Sequence, residues 1–233
     1  MFLRIGHRGA KGLVTENTIE SFKKALKNDV NAIEFDVRKT KDNKIVVIHD
    51  DNLKNVWGID KKVNELSLKD IKKFSNNKIP TLEESLDFLR TKKLEKILIE
   101  IKEEGIENYI VKIIKKFRIK NKVIIISFNE NILRKINKDF ERGLVYLKHI
   151  NPFQAVKDLN VEYVLPFYRF ASQKVIDIFH KMNKKVIVWT INNKKEMKEY
   201  IKRKVDGIAT DFPNLFKEED IKNLLTKVEQ DNL

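Results

Sequence analysis

The 233-residue chain has no cysteine, only four prolines and seven glycines, and no apolar run near the roughly 18 residues of a membrane span. The first absence excludes a disulfide framework and fits a reducing compartment. The last excludes a transmembrane helix. No linker, low-complexity tract or obvious repeat divides the sequence, so a single domain over residues 1–233 is expected. No secretory signal is expected either. Met1-Phe2-Leu3-Arg4-Ile5 runs straight into Gly6-His7-Arg8-Gly9 without the apolar stretch and small-residue cleavage site such a signal needs. A cytoplasmic protein is therefore expected, with no stable membrane insertion.

What the chain has in plenty is positive charge. Lys and Arg number 48 against 34 Asp and Glu, for a formal net charge of +14. Such a balance can mark a nucleic-acid or anionic-membrane partner. Here the lysines are spread along the whole chain, and runs such as Lys202-Arg203-Lys204 sit between apolar positions at helical spacing. That is how solvated helix faces read. The expectation is no nucleic-acid partner, and a field that favours an anionic small-molecule substrate. The chain is 42% hydrophobic, enough for a sizeable core and too much for disorder.

A short β-branched run, a loop and a segment of 3.6-residue periodicity recur along the sequence. The apolar runs begin at Phe2, Ala32, Lys96, Val123, Gly143, Val161, Val186 and Asp206. Short strands alternating with helices predict a parallel sheet covered by helices, and eight such units predict a TIM (β/α)8 barrel. A doubly wound sheet would more often carry G-x-G-x-x-G after its first strand, and Gly6-His7-Arg8-Gly9 is not that motif. One further run, Ile45–Ile48, follows Val37 too closely for a parallel crossover. It predicts a hairpin turning at Asp42-Asn43, with Lys41 facing Lys44 and His49 opposite Asp36. An insertion of approximately residues 50–77 would follow it.

In such a barrel, function collects at the C-terminal strand ends. Those ends carry His7 and Arg8, Glu34 and Asp36, Glu100 and Lys102, Trp189, and Asp211, while the hairpin delivers His49. Glu34 and Asp36 are two apart and share a face, as do Glu100 and Lys102. Acids inside apolar strands are costly unless paired or bound to metal. Ion pairing of Glu100 with Lys102 or Asp36 with Arg8 is one account. The other is a three-carboxylate oxygen site for one hard divalent cation, Mg2+ or Ca2+; zinc fits less well without cysteine. Arg8 and Lys102 beside it suit a phosphate diester. Two histidines at the same rim suggest general acid and base. His149 and His180 read as surface or satisfied core residues.

The residues also form a recognisable ordered series. Gly6-His7-Arg8-Gly9-Ala10, Glu16-Asn17-Thr18, Ile33-Glu34-Phe35-Asp36-Val37 and Val46-Val47-Ile48-His49-Asp50 are followed by Ile79-Pro80-Thr81-Leu82-Glu83-Glu84 and Leu98-Ile99-Glu100-Ile101-Lys102. Val188-Trp189-Thr190-Ile191-Asn192 and Asp206-Gly207-Ile208-Ala209-Thr210-Asp211-Phe212-Pro213 close it. The series resembles the glycerophosphodiester phosphodiesterase family over nearly the whole chain. The resemblance implies a TIM barrel that hydrolyses glycerophosphodiesters to sn-glycerol 3-phosphate and an alcohol. By analogy His7 and His49 are the acid–base pair, and Glu34, Asp36 and Glu100 hold the cation. Arg8 and Lys102 would bind phosphate, and Trp189 would wall the glycerol side. The sequence departs from the family at Thr15, where proline often precedes Glu-Asn-Thr. It departs again at Leu53-Lys54-Asn55-Val56-Trp57, where Leu-x-Arg-Thr-Thr is common. Two other readings stand beside this one: phospholipase-D-like action on lysophospholipids, and a non-catalytic basic barrel that binds polyanions.

Overall fold

The computed structural model of the chain describes residues 1–230. Eight parallel strands close on themselves: β1 (Leu3–Gly6), β2 (Ala32–Lys39), β3 (Lys96–Ile101), β4 (Val123–Ser127), β5 (Glu141–Tyr146), β6 (Tyr163–Pro166), β7 (Lys185–Val188) and β8 (Gly207–Thr210). Each pairs with its sequence neighbour, and β1 pairs with both β2 and β8 to shut the barrel. A helix follows each strand, from α1 (Ile19–Leu26) to α8 (Glu219–Gln230). This is the (β/α)8 architecture that the alternating pattern predicts. No helix among the described residues is long and apolar enough to cross a membrane.

The two-residue period of the strands sorts the core into two parts. Ile33, Phe35 and Val37 of β2 and Ile97, Ile99 and Ile101 of β3 point outward and pack under the helices. Leu3, Ile5, Ala32, Leu98, Ile124, Ile126, Val145, Leu165, Ile187 and Ala209 fill the barrel interior. Continuing each inward file by one step or two reaches a chemically active or aromatic residue. Ile5 leads to His7, Ala32 to Glu34 and Asp36, Leu98 to Glu100 and Lys102, Ile187 to Trp189, and Ala209 to Asp211. The apolar plug therefore ends in a polar floor at the C-terminal mouth, and the strand pleat aims that floor inward.

The hairpin after β2 forms, in a register different from the sequence expectation. Val37 stands opposite Val47, Arg38 opposite Val46 and Lys39 opposite Ile45. Ile48, not His49, therefore faces Asp36, and its N–H donates to the Asp36 carbonyl at 3.0 Å. The cause lies in the turn. Thr40 N–H donates to the Lys44 carbonyl at 2.9 Å, and Lys44 N–H returns to Thr40 Oγ1 at 2.9 Å. Asn43 takes a left-handed conformation at φ 58°. The loop thus has three residues rather than two. His49 still reaches the mouth, because Arg38 Nε donates to its carbonyl at 2.8 Å.

Beyond His49 lies a small layer with its own core. Asn52–Leu53 pairs antiparallel with Ile59–Lys62, and the helix Leu68–Phe74 starts on a Ser67–Asp70 capping box. Leu53, Val63, Leu66 and Ile71 pack against Val46, Ile48 and Ile79. The barrel resumes at Leu82–Arg90, capped by Thr81.

Candidate active site

Glu34, Asp36 and Glu100 are all buried, and one carboxylate oxygen from each lies within 4.8 Å of the others. The strand register brings them together, since Asp36 is directly opposite Glu100. Their surroundings are built by two turns. In the first, Arg8 adopts φ 50° and Gly9 φ 81°, a left-handed pair that costs energy at the non-glycine position. The turn aims Arg8 N–H at Glu34 Oε2, 2.8 Å away, and brings Arg8 Nε to 3.2 Å from Asp36 Oδ2. Ser21 on α1 locks it, donating to the Arg8 carbonyl at 2.8 Å and accepting from Ala10 N–H at 2.7 Å.

The second turn is Glu16-Asn17-Thr18, and each residue has a separate task. Glu16 Oε1 accepts from Arg8 Nη1 at 2.8 Å. Asn17, also left-handed at φ 55°, donates from Nδ2 to Asp36 Oδ2 at 2.9 Å. Thr18 caps α1 by accepting from Ser21 N–H. Asn17 and Glu16 act on the site without lining it. Neither is named as a site residue by the sequence reading, although both sit in a motif it singles out.

Each histidine is held by a carboxylate. His7 Nδ1 lies 2.6 Å from Asp211 Oδ1, and His49 Nδ1 lies 2.6 Å from Asp50 Oδ1. Asp50 is steadied by Asn55 Nδ2 at 2.7 Å, and Asp211 by Asn192 Nδ2 at 2.7 Å. With Nδ1 occupied, Nε2 is the nitrogen left for the cavity that both rings line. The sequence offered a signal for one of these partners, the His49-Asp50 dipeptide, and only a strand-end position for the other.

All the sequence-predicted residues converge. His7, Arg8, Glu34, His49, Glu100, Lys102 and Trp189 line one cavity of about 260 Å³, with Asp36 beneath. Lys102 Nζ is 2.6 Å from Glu100 Oε1 and 3.5 Å from Asp36 Oδ1. Trp189 donates from Nε1 to the Leu165 carbonyl at 2.7 Å and meets Phe128 edge to face. His149 and His180 lie elsewhere, paired with Glu130 and Asp206.

The electrostatics are those of acids crowded into one place. Burial, with Asp36 and Glu100 alongside, holds the Glu34 carboxyl well above the ordinary carboxylate range. Burial and Asp36 push Glu100 up to about 7. Burial acts on Asp36 in the same sense, but Arg8, Lys102 and His49 outweigh it and keep Asp36 below its ordinary value. Burial also lowers His49. Ion pairs account for part of the cluster, Lys102 Nζ standing 3.5 Å from Asp36 Oδ1, and one buried oxygen, Glu34 Oε1, is left with no hydrogen-bond partner. An orphaned carboxylate oxygen on a three-acid cluster matches the needs of a hard divalent cation, so these residues fit one.

Comparison with known proteins agrees with the geometry. The model of the glycerophosphoryl diester phosphodiesterase family matches residues 7–215. A glycerophosphodiester phosphodiesterase of Caldanaerobacter subterraneus subsp. tengcongensis is 34% identical over 230 residues, spanning 91% of this chain and 94% of that protein. The crystal structure of glycerophosphodiester phosphodiesterase from Thermotoga maritima superposes with a TM-score of 0.82 at 29% identity, covering 94% of this chain and 98% of that one. An Oleispira antarctica phosphodiesterase, solved in complex with the product sn-glycerol-3-phosphate, shares the fold with a TM-score of 0.81 at 20% identity, covering 95% and 96%.

Proposed function

The chain belongs to the glycerophosphoryl diester phosphodiesterase family, and from that premise we propose that it hydrolyses glycerophosphodiesters to sn-glycerol 3-phosphate and an alcohol. In this reading the reaction depends on one divalent cation, Mg2+ or Ca2+, and uses His7 and His49 as its acid–base pair. The observation that carries it is the joint placement of two carboxylate-held histidines and a three-carboxylate cluster on one cavity.

Glu34, Asp36 and Glu100 would hold the cation, which when bound supplies Lewis-acid charge toward a phosphoryl oxygen. The chain's own residues do the rest. Arg8 and Lys102 both approach Asp36 and line the cavity, and they bind the phosphate oxygens, where their charge counters the negative charge that grows in the transition state. The Arg8 guanidinium is fixed by Glu16 and Asp36 before substrate arrives. One histidine Nε2 removes the proton of the attacking oxygen, and the other donates a proton to the departing alcohol. Asp211 and Asp50 keep both rings oriented. This arrangement serves attack by the glycerol 2-hydroxyl through a cyclic phosphate and attack by water equally well. Trp189 walls the glycerol side. The cavity, about 260 Å³, is of a size for a small diester, and in this reading the enzyme acts on small molecules in the cytoplasm.

The test is release of glycerol 3-phosphate from glycerophosphocholine and glycerophosphoethanolamine after EDTA treatment, with Mg2+, Ca2+ or Mn2+ then restored. Release that returns with one ion supports the reading and names the ion. No release with any ion overturns it. A second reading, cleavage of lysophospholipid headgroups, is favoured by the apolar part of the cavity lining, to which Ile126, Val145, Leu147 and Leu165 contribute. Lysophosphatidylcholine in the same assay separates the two.

A further inference from the structure

Four of the seven large apolar side chains left exposed among the described residues stand together on one face. They are Phe128 after β4, Leu147 and Ile150 after β5, and Phe170 after β6. Ile150 is fully exposed and Leu147 is 53% exposed. These loops follow consecutive strands at the C-terminal mouth, so their tips form one arc of the rim. Ring contacts tie the arc to the cavity: Phe128 touches Trp189, Trp189 touches Phe167, and Phe167 touches Phe170. Exposed apolar groups gathered in one place mark a surface that is covered in use.

Charge selects what covers it. Lys148 lies between Leu147 and Ile150, and Arg169 precedes Phe170; both are exposed. The acids on the adjoining loops are already engaged, Glu104 by Lys135 and Glu130 by Arg134. The rim is thus an apolar arc studded with cations on a chain of net charge +14. A second copy of the chain would meet like charge with like and would cover the cavity mouth. An anionic lipid surface instead receives the apolar tips among its acyl chains and the cations among its headgroups.

We propose that the β4, β5 and β6 loops dock the barrel mouth on an anionic lipid–water interface, through Phe128, Leu147, Ile150 and Phe170 with Lys148 and Arg169. The docking is peripheral, because each loop offers only one or two side chains. It turns the cavity toward headgroups and diesters held at that surface. The docking stands on the rim's composition and does not require the proposed reaction.

Co-sedimentation of the full chain with vesicles tests it. The protein should pellet with phosphatidylcholine vesicles doped with phosphatidylglycerol, and far less with phosphatidylcholine alone. Ile150→Asp combined with Phe170→Ser should weaken the partition on the order of tenfold or more. Lys148→Glu combined with Arg169→Glu should abolish the preference for the anionic vesicles. Turnover of soluble glycerophosphocholine, unchanged in both variants, shows that they fold; if the parent lacks that activity, matching circular dichroism and melting midpoints serve instead. A parent protein that stays in the supernatant with both vesicle types overturns the proposal. So does equal pelleting of parent and variants, or a parent dimer in sedimentation velocity that Ile150→Asp dissolves.

Discussion

His7 and Asp211 lie 204 residues apart in the chain and meet at 2.6 Å. Closure of the barrel makes the contact, because Gly6 pairs with Thr210 and the next residue of each strand turns into the mouth. Asp50 does for His49, from the adjacent position, what Asp211 does for His7 from the far end of the chain. Asp211→Asn and Asp50→Asn should each lower kcat with little change in KM, by less than the ~10²–10⁴ expected for His7→Ala or His49→Ala. Asp50→Asn has a second signature. Its hydrogen bond raises the His49 pKa against burial, so losing it should move the His49 limb of the pH–rate profile to lower pH. Unchanged kcat together with an unmoved profile would show that neither acid orients a catalytic ring.

The acid cluster makes stability depend on pH in an unusual direction. Glu34 and Glu100 have raised pKa values in the folded protein, Glu100 to about 7. Across that range the folded state binds more protons than the unfolded state, so stability falls as pH rises. The Glu100 contribution is fully present below the ordinary glutamate value and is lost as pH passes about 7. Asp36, with its lowered value, stays ionised over this window. Thermal melts of EDTA-treated protein should show a midpoint that declines from weakly acidic to neutral pH. Glu100→Gln should flatten the decline, and a bound dication should offset it at neutral pH. A midpoint that rises over the same range would contradict the assignment.

Much of this was legible in the residues, for a physical reason. A parallel strand buried on both faces is apolar, so Glu34, Asp36 and Glu100 stand out against Ile, Leu and Phe as groups that need a partner. Charge misleads where a buried ion is structural. The apolar run read from Gly143 misses Glu141 and Arg142, yet Arg142 is a buried β5 residue whose guanidinium reaches the carbonyls of Leu133 and Asn160. Alternation alone does not separate a two-residue from a three-residue turn, and Thr40 Oγ1 decides that case. The Asp211–His7 contact depends on barrel closure and leaves no local trace. The exposed rim is equally silent, since Ile150 and Phe170 read as ordinary apolar residues until their surroundings are known.

Gly9 is the position where the first turn has least latitude. Its φ is +81°, and a Cβ there would sit 2.5 Å from Ser21 Oγ and 2.7 Å from the Ser21 backbone. Gly9→Ala must therefore push α1 away or flip the turn that carries Arg8 N–H to Glu34. A loss of about 1–3 kcal/mol in unfolding free energy is expected, measured by urea denaturation. Activity should fall more than stability alone explains, because His7 and Arg8 ride on the same turn. A variant with parental stability and turnover would mean that the turn relaxes at no cost.

Lys102 separates the two accounts of the buried acids. Its ammonium touches Glu100 and lies near Asp36, so it is either the partner that completes an ion-paired cluster or a phosphate-binding group beside a cation site. Replacing it by methionine keeps the apolar stem and removes the charge. In metal-free protein Lys102→Met leaves Glu100 uncompensated, and the melting midpoint should drop. A cation site then predicts recovery on adding the dication, with a metal Kd no weaker than the parent's, because ammonium and cation no longer compete for the same oxygens. It also predicts a deficit in turnover that metal does not restore, since the phosphate has lost a donor. An ion-paired cluster predicts the opposite pattern, with no metal rescue and no calorimetric binding signal in either protein. The unpartnered Oε1 of Glu34 places the expectation on the first pattern.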